Sequence, residues 1–137
     1  IAKVLNDRFN TTEFSRSPGS GAFATTHDLP DYLKIYGDLI TPQNFKYCIE
    51  CKKGYNNQNL YSLYNYSSES EKCDKIPMVI FKQDRQPTLA IIPSHVQTNR
   101  LQPYIEIRKE EDGFIVRVYK IYKLQDLLDD HDNLWFN

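Results

Sequence analysis

The sequence predicts an α/β fold in which one mixed β-sheet is flanked by helices. Short β-type apolar runs alternate with segments of helical spacing, and neither an internal repeat nor a break in composition divides the chain. The chain has 137 residues, of which 40% are hydrophobic and 26% are charged. These values are ordinary for a globular protein and suffice for one core. We therefore expect a single domain over residues 1–137.

The N-terminal region predicts a helix, a short strand and a long loop. Apolar residues at helical spacing predict a helix over Ile1–Phe9. A short strand is expected at Thr11–Arg16. The segment Ser17–Tyr32 is predicted to be a loop because it is rich in Pro, Gly, Ser and Thr. Loops of this length inside a compact domain are usually functional or mobile.

The central region predicts four strands and one helix. Turn residues Thr41–Asn44 separate two strands, Tyr36–Ile40 and Phe45–Cys51. The tyrosine-rich stretch Asn56–Tyr66 predicts a short helix, followed by a loop through Ser67–Ser68. Two apolar runs predict the next strands: Ile76–Lys82 and Thr88–Ile92.

The C-terminal region predicts a hairpin and a short helix. Tyr104–Arg108 and Phe114–Tyr119 alternate in polarity around the turn sequence EEDG. A short helix is expected to begin at Leu124–Leu128. Trp135 and Phe136 are expected to dock on the core, with an exposed pair at a dimer contact as the alternative.

The charge distribution does not by itself indicate a nucleic-acid partner. The net charge is −1, and four of the 18 acidic residues lie in residues 124–137, which hold no Lys or Arg. The rest of the chain has 17 basic and 14 acidic residues, so it is mildly basic. No apolar run approaches the ~20 residues that span a bilayer. The charged start, IAKVLNDRF, gives no indication of a signal peptide.

The three cysteines are Cys48, Cys51 and Cys73. An odd count without framework spacing argues against a disulfide scaffold and for a reducing compartment. Cys48 and Cys51 form a CxxC, but positions i and i+3 of a strand face opposite sides. A zinc site would need two more ligands, and only Cys73 with a histidine could supply them.

Two carboxylates and a lysine are predicted to meet on two neighbouring strands. Asp38 begins one strand, while Glu50 and Lys52 are two positions apart (i and i+2) in the next, so they share a face. If the strands pair as a hairpin, both carboxylates converge. Two such anions repel unless a cation lies between them, and Mg²⁺ prefers oxygen ligands of this kind. The carbonyl of Cys51 could add a ligand. Such a site suits phosphodiester hydrolysis.

The ordered segments RSPGSG, GDL, IECKKG and IPMVIFK resemble the PD-(D/E)XK nucleases, with Gly37 in the place usually taken by Pro. Within that class the chain is most similar to Holliday-junction resolvases of the archaeal type and their phage relatives. The resemblance covers roughly Ile1–Pro93. It implies a restriction-endonuclease-like sheet and a Mg²⁺-dependent DNA endonuclease, with Mn²⁺ as a substitute.

The resemblance assigns roles to particular residues. Asp38, Glu50 and Cys51, through its carbonyl, would hold the metal, and Lys52 would be the catalytic lysine. A second set would contact DNA phosphates: Arg16, Ser17, Gly19, Ser20 and Lys53. The family often carries an additional metal-binding acid in its first helix, and nothing in Ile1–Phe9 matches it well.

The resemblance also implies branched DNA as the substrate, a homodimer, and a cytoplasmic location in a microbe or phage-infected host. Two alternatives stay open. One is a restriction-like or repair nuclease that acts on duplex DNA. The other is an inactive DNA-binding or assembly protein with the nuclease fold, which the near-neutral charge favours.

Overall fold

The computed structural model describes residues 1–16, 39–54, 60–71, 74–98 and 101–137. The helices and strands within these ranges are α1 (Ala2–Phe9), β1 (Ser15–Arg16), β2 (Leu39–Ile40), β3 (Tyr47–Gly54), α2 (Leu60–Ser70), β4 (Ile76–Gln83), β5 (Leu89–Pro93), β6 (Ile105–Glu111), β7 (Phe114–Lys123), α3 (Leu124–Leu128) and a 3₁₀ helix (Asp132–Leu134).

Five strands form one mixed sheet in the order β3-β4-β5-β7-β6. β3 and β4 run parallel, with α2 in the connection between them, and the other neighbours are antiparallel. β1 and β2 pair antiparallel in a separate two-stranded sheet. The predicted fold class, a mixed sheet flanked by helices, is confirmed.

The sheet buries apolar side chains on both faces, and β3 contributes to them by strict alternation. Tyr47 and Ile49 lie in one cluster, which also contains Leu5 of α1 and Leu127 of α3. We call this cluster the aromatic core, because it also gathers the following rings: Phe14, Phe45, Tyr122 and Trp135. On the other face, α2 covers a second cluster, the α2 cluster: Leu63, Tyr64, Val79, Phe81, Ile91, Ile107, Tyr119 and Ile121.

The C-terminal segment closes the aromatic core beside the start of β3. The indole N–H of Trp135 donates to the Leu127 carbonyl at 3.0 Å, and the backbone N–H of Lys46 donates to the Trp135 carbonyl at 2.8 Å. Phe45 and Phe136 form an antiparallel bridge. Trp135 is fully buried. Its predicted docking on the core is confirmed, and an exposed pair at this position is wrong.

Two predicted boundaries are wrong for identifiable reasons. The expected loop at Ser67–Ser68 is helical, because α2 continues to Ser70. The Ser67 hydroxyl donates to the Leu63 carbonyl at 3.0 Å, so the helix buries this polar side chain with a partner. The first strand begins at Ser15 rather than Thr11, because the Asn6 side chain engages both backbone groups of Phe14 at 2.9 Å.

The C-terminal hairpin is confirmed and is longer than predicted. Asp112 and Gly113 form its turn with φ of 52° and 81°, conformations that favour Asn, Asp or Gly. β7 then runs unbroken to Lys123, and a short helix, α3, begins at Leu124 as predicted. Within the described ranges, no helix has the length and apolar character that crossing a bilayer requires.

Candidate active site

Glu50 and Lys52 lie on the face of β3 that α2 covers. Their register partners in β4 are Val79 and Phe81, which belong to the α2 cluster. The alternate β3 positions point into the aromatic core. The predicted common face of these two side chains is therefore observed, and the flanking apolar residues explain why the charges are not fully exposed.

The two side chains form an ion pair. Lys52 Nζ lies 3.4 Å from Glu50 Oε1, and the side chains are 34% and 28% exposed. This partial burial weakens screening by water, so the pair interacts more strongly than a fully exposed pair would. The arrangement offers one carboxylate and one ammonium at a half-buried, solvent-accessible point.

An aromatic ring of α2 completes this side of the site. Lys52 Nζ lies 5.0 Å from the centroid of the Tyr66 ring, within the range of a cation–π contact. The ring also packs against the α2 cluster. Sequence reasoning missed Tyr66, because its position beside Lys52 depends on where the helix crosses the sheet. Only its place in a tyrosine-rich helix just after the Glu-x-Lys strand could have suggested it.

Strand β2 lies in contact with β3. Asp38 directly precedes Leu39, which is buried in the aromatic core. Asp38 itself lies outside the described residues. The hairpin pairing considered from the sequence is not the observed one: β2 pairs with β1, while the described ladder of β3 runs to β4. The turn after β2 leaves Phe45 bridged to Phe136 instead.

A half-buried lysine ties the turn between β2 and β3 to the sheet. Lys75 Nζ donates to the Thr41 hydroxyl at 3.1 Å and to the Pro42 carbonyl at 2.9 Å. Burial lowers the pKa of Lys75. This anchoring holds the end of β2 close to the start of β4, and sequence reasoning did not identify it.

The predicted DNA contacts are only partly described. Arg16 is exposed and lies opposite Leu39 in the β1–β2 ladder, one position from Asp38. Lys53 is exposed and alternates away from Lys52 along the strand. The other three predicted contacts lie outside the described residues: Ser17, Gly19 and Ser20.

The CxxC does not form a local site. Cys51 packs against the aromatic core. The buried Cys48 lies on the opposite face of β3, the face that also carries Glu50, as the spacing predicts. The expectation that the cysteines avoid disulfides is wrong for Cys48, which is disulfide-bonded, while Cys51 keeps its thiol. Opposite orientation explains why the bond does not join these two.

The predicted metal-binding residues can be compared with the ligands that a hard metal ion such as Mg²⁺ prefers. Within the described ranges, no three His, Cys, Asp or Glu side chains come together as a metal site. Those ranges supply the accessible Glu50 carboxylate, and Asp38 lies outside them. Carboxylate and carbonyl oxygens are the donors that Mg²⁺ prefers, so the chemistry of this set fits that ion.

The fold and this face of β3 together define an α/β protein of the PD-(D/E)XK type. Residues 1–131 match the family described as "Phage putative PDDEXK endonuclease", and the chain belongs to that family. The chain is also similar to Protein D14 of Escherichia phage T5, with 34% identity over 111 residues, covering 69% of this chain. The match spans 64% of the length of that relative. No solved structure gives a significant match.

Proposed function

We propose that this chain is a Mg²⁺-dependent DNA endonuclease that cuts branched DNA of the Holliday-junction type. The observation that carries the proposal is the half-buried Glu50–Lys52 pair on one face of β3, in a chain that belongs to a PD-(D/E)XK endonuclease family. In metal-assisted phosphodiester hydrolysis a carboxylate can hold the metal ion, and an ammonium beside it can stabilise the charge that develops on the phosphate.

Asp38, Glu50 and the Cys51 carbonyl would hold the Mg²⁺ ion, and Mn²⁺ would substitute for it. When bound, the ion supplies Lewis acidity and offsets the negative charge that develops on the phosphate. The protein's own contribution would be to present Glu50 from the middle of β3 and Asp38 from the segment just before β2, whose following turn Lys75 binds.

Lys52 would orient the attacking water and donate to a phosphate oxygen as negative charge accumulates there. Its ammonium lies 3.4 Å from Glu50 and beside the Tyr66 ring, so it is held in place before DNA binds. Donors fixed in advance need no reorganisation during the reaction, which is the main source of electrostatic catalysis.

The DNA backbone would lie along the edge that β1 and β2 form. Arg16 and the segment with Ser17, Gly19 and Ser20 would bind phosphates beside the cut, through side-chain and backbone N–H groups. Lys53 would bind a neighbouring phosphate. The near-neutral net charge favours such localised contacts over a broad basic surface.

The preference for branched DNA and the homodimer rest on the sequence resemblance to resolvases. A four-way junction has approximate two-fold symmetry, so a C2 dimer would place one active site at each of two equivalent strands. A nuclease for duplex DNA and an inactive binding protein remain alternative outcomes of the test below.

The test is cleavage of four DNAs with and without Mg²⁺: a four-way junction, a fork, a plain duplex and a single strand. Wild type is compared with Lys52→Ala, Asp38→Asn and the control Lys109→Ala. We expect paired nicks in the junction that require Mg²⁺ and disappear in the first two variants only.

Each other outcome has a distinct meaning. Equal cleavage of the duplex would retain the nuclease and reject the branched substrate. Tight junction binding without any cleavage would favour the inactive binding protein. Full activity of Lys52→Ala would reject the assignment of this site.

A further inference from the structure

The Tyr66 ring is the neighbour of Lys52 that the proposed reaction leaves unexplained. Lys52 Nζ lies 5.0 Å from the ring centroid, on the same side as Glu50. Glu50 has a role of its own as a metal ligand in the proposed function. The ring, in contrast, offers no metal-binding carboxylate, and its contact with the proposed site is with the Lys52 ammonium.

The ring is itself held firmly. Tyr66 belongs to α2, whose Leu63 and Tyr64 are buried against the sheet, and its ring packs on the same cluster. One turn later, the Ser70 hydroxyl donates to the Tyr66 carbonyl at 2.9 Å. A half-buried ring on an anchored helix is a fixed surface, so it can restrict a flexible side chain that lies against it.

Restriction matters because lysine has a long, freely rotating side chain. Ordering such a chain costs rotamer entropy. The attraction between a cation and an aromatic face offsets part of that cost, and it is stronger where water is partly excluded. The side chain of Lys52 is only 34% exposed, so water is partly excluded from this contact.

We propose that Tyr66 is a positioning residue, which fixes the Lys52 ammonium beside Glu50 through the face of its ring. This inference rests on the proposed function for its catalytic consequence, but the contact itself does not depend on activity. Tyr66→Phe retains the ring face. Tyr66→Leu and Tyr66→Met retain apolar packing without it.

The first measurement detects the contact by NMR in protein labelled with ¹³C-lysine, with Lys52 assigned from Lys52→Arg. The ring current shields protons above an aromatic face, so the ε-methylene protons of Lys52 should lie upfield in wild type and Tyr66→Phe. They should return towards ordinary lysine values in Tyr66→Leu. Unchanged shifts in a folded Tyr66→Leu or Tyr66→Met variant would overturn the inference.

The second measurement is steady-state cleavage of the DNA that wild type cuts. Tyr66→Leu should lower kcat by about two- to tenfold with KM unchanged, because the ring acts on a group used in the reaction step. Tyr66→Phe should restore the wild-type rate. A change in KM alone, or equal losses in the Phe and Leu variants, would contradict a positioning role.

The two measurements separate two kinds of failure. If wild type cuts no DNA but the Lys52 shift depends on the ring, the proposed function fails and the contact stands without a catalytic consequence. If wild type cuts DNA but Tyr66→Leu changes neither the chemical shift of the Lys52 ε-methylene protons nor kcat, the function stands and the inference fails. Where Tyr66→Leu does not fold, Tyr66→Met takes its place in both measurements.

Discussion

Two lysine–glutamate pairs occupy the two edge strands of the described sheet, and they resemble each other closely. On β3, Lys52 Nζ lies 3.4 Å from Glu50; on β6, Lys109 Nζ lies 3.3 Å from Glu111. In both, the partners are two residues apart on one strand. Each ammonium also faces a tyrosine ring of α2, at 5.0 Å and 5.4 Å respectively.

The surroundings of the two pairs differ. The β6 pair is about half exposed, at 47% and 57%, and lies near the tip of a hairpin whose Phe114 is 74% exposed. The β3 pair is less exposed and lies on the strand that directly follows β2 and its anchored turn. The comparison teaches that the local pair does not make the site. Partial burial and the neighbouring strand β2, which Asp38 directly precedes in the sequence, distinguish β3.

The largest expected difference is in catalysis. Lys52→Ala should lower the single-turnover cleavage rate by about 10²- to 10⁴-fold, the usual range for loss of a group that handles a proton in the reaction. Lys109→Ala should leave the rate unchanged, since its charge is screened by water. The measurement is cleavage at saturating enzyme with both variants checked for folding. Equal effects of the two substitutions would remove the distinction between the edges.

The next largest difference is between a buried and an exposed apolar residue of the same sheet. Ile49 is fully buried on the opposite face of β3, so Ile49→Ala should lower the free energy of unfolding by about 2–5 kcal/mol. Ile115 of β7 is 51% exposed, so Ile115→Ala should lower the free energy of unfolding by no more than about 0.5 kcal/mol. Urea unfolding measures both. A small loss for Ile49→Ala would mean that the aromatic core is not closed at β3.

A smaller effect is expected at the tyrosine that begins β3. The Tyr47 hydroxyl donates to the Leu134 carbonyl at 2.7 Å, so Tyr47→Phe should cost about 1–3 kcal/mol of unfolding free energy at neutral pH. Burial, and then the negative charge of Asp130, raise the pKa of Tyr47 far above its usual value.

The raised pKa also predicts the pH dependence. The unfolded tyrosine ionises near pH ~10 while the folded one stays protonated, so the folded state binds more protons and stability falls as the pH rises through ~10. Tyr47→Phe should lose stability less steeply above that pH. Unfolding curves at neutral and alkaline pH test this, and parallel losses in both proteins would argue against a buried Tyr47 hydroxyl.

Local patterns predicted much of the fold and part of the site. The alternation of apolar residues located the strands, and the period of two placed Glu50 and Lys52 on one face without any knowledge of the sheet. The hairpin and α3 followed from turn chemistry and from helical spacing. These features depend on residues that are neighbours in the sequence, so one amino-acid sequence was enough to predict them.

Features that depend on distant residues could not be predicted in this way. The Tyr66–Lys52 contact depends on how a crossover helix lies on the sheet. The odd number of cysteines also did not predict that Cys48 is disulfide-bonded. In each case the deciding interaction joins groups whose proximity the fold creates.

The most direct test of the central claim is Mg²⁺-dependent cleavage of a four-way junction by Glu50→Gln and Glu111→Gln, measured side by side. The amide keeps the size of each side chain and removes its charge. We predict that Glu50→Gln loses cleavage while remaining folded, and that Glu111→Gln cuts at the wild-type rate. Wild-type cleavage by a folded Glu50→Gln variant would contradict the assignment of the active site to this face of β3.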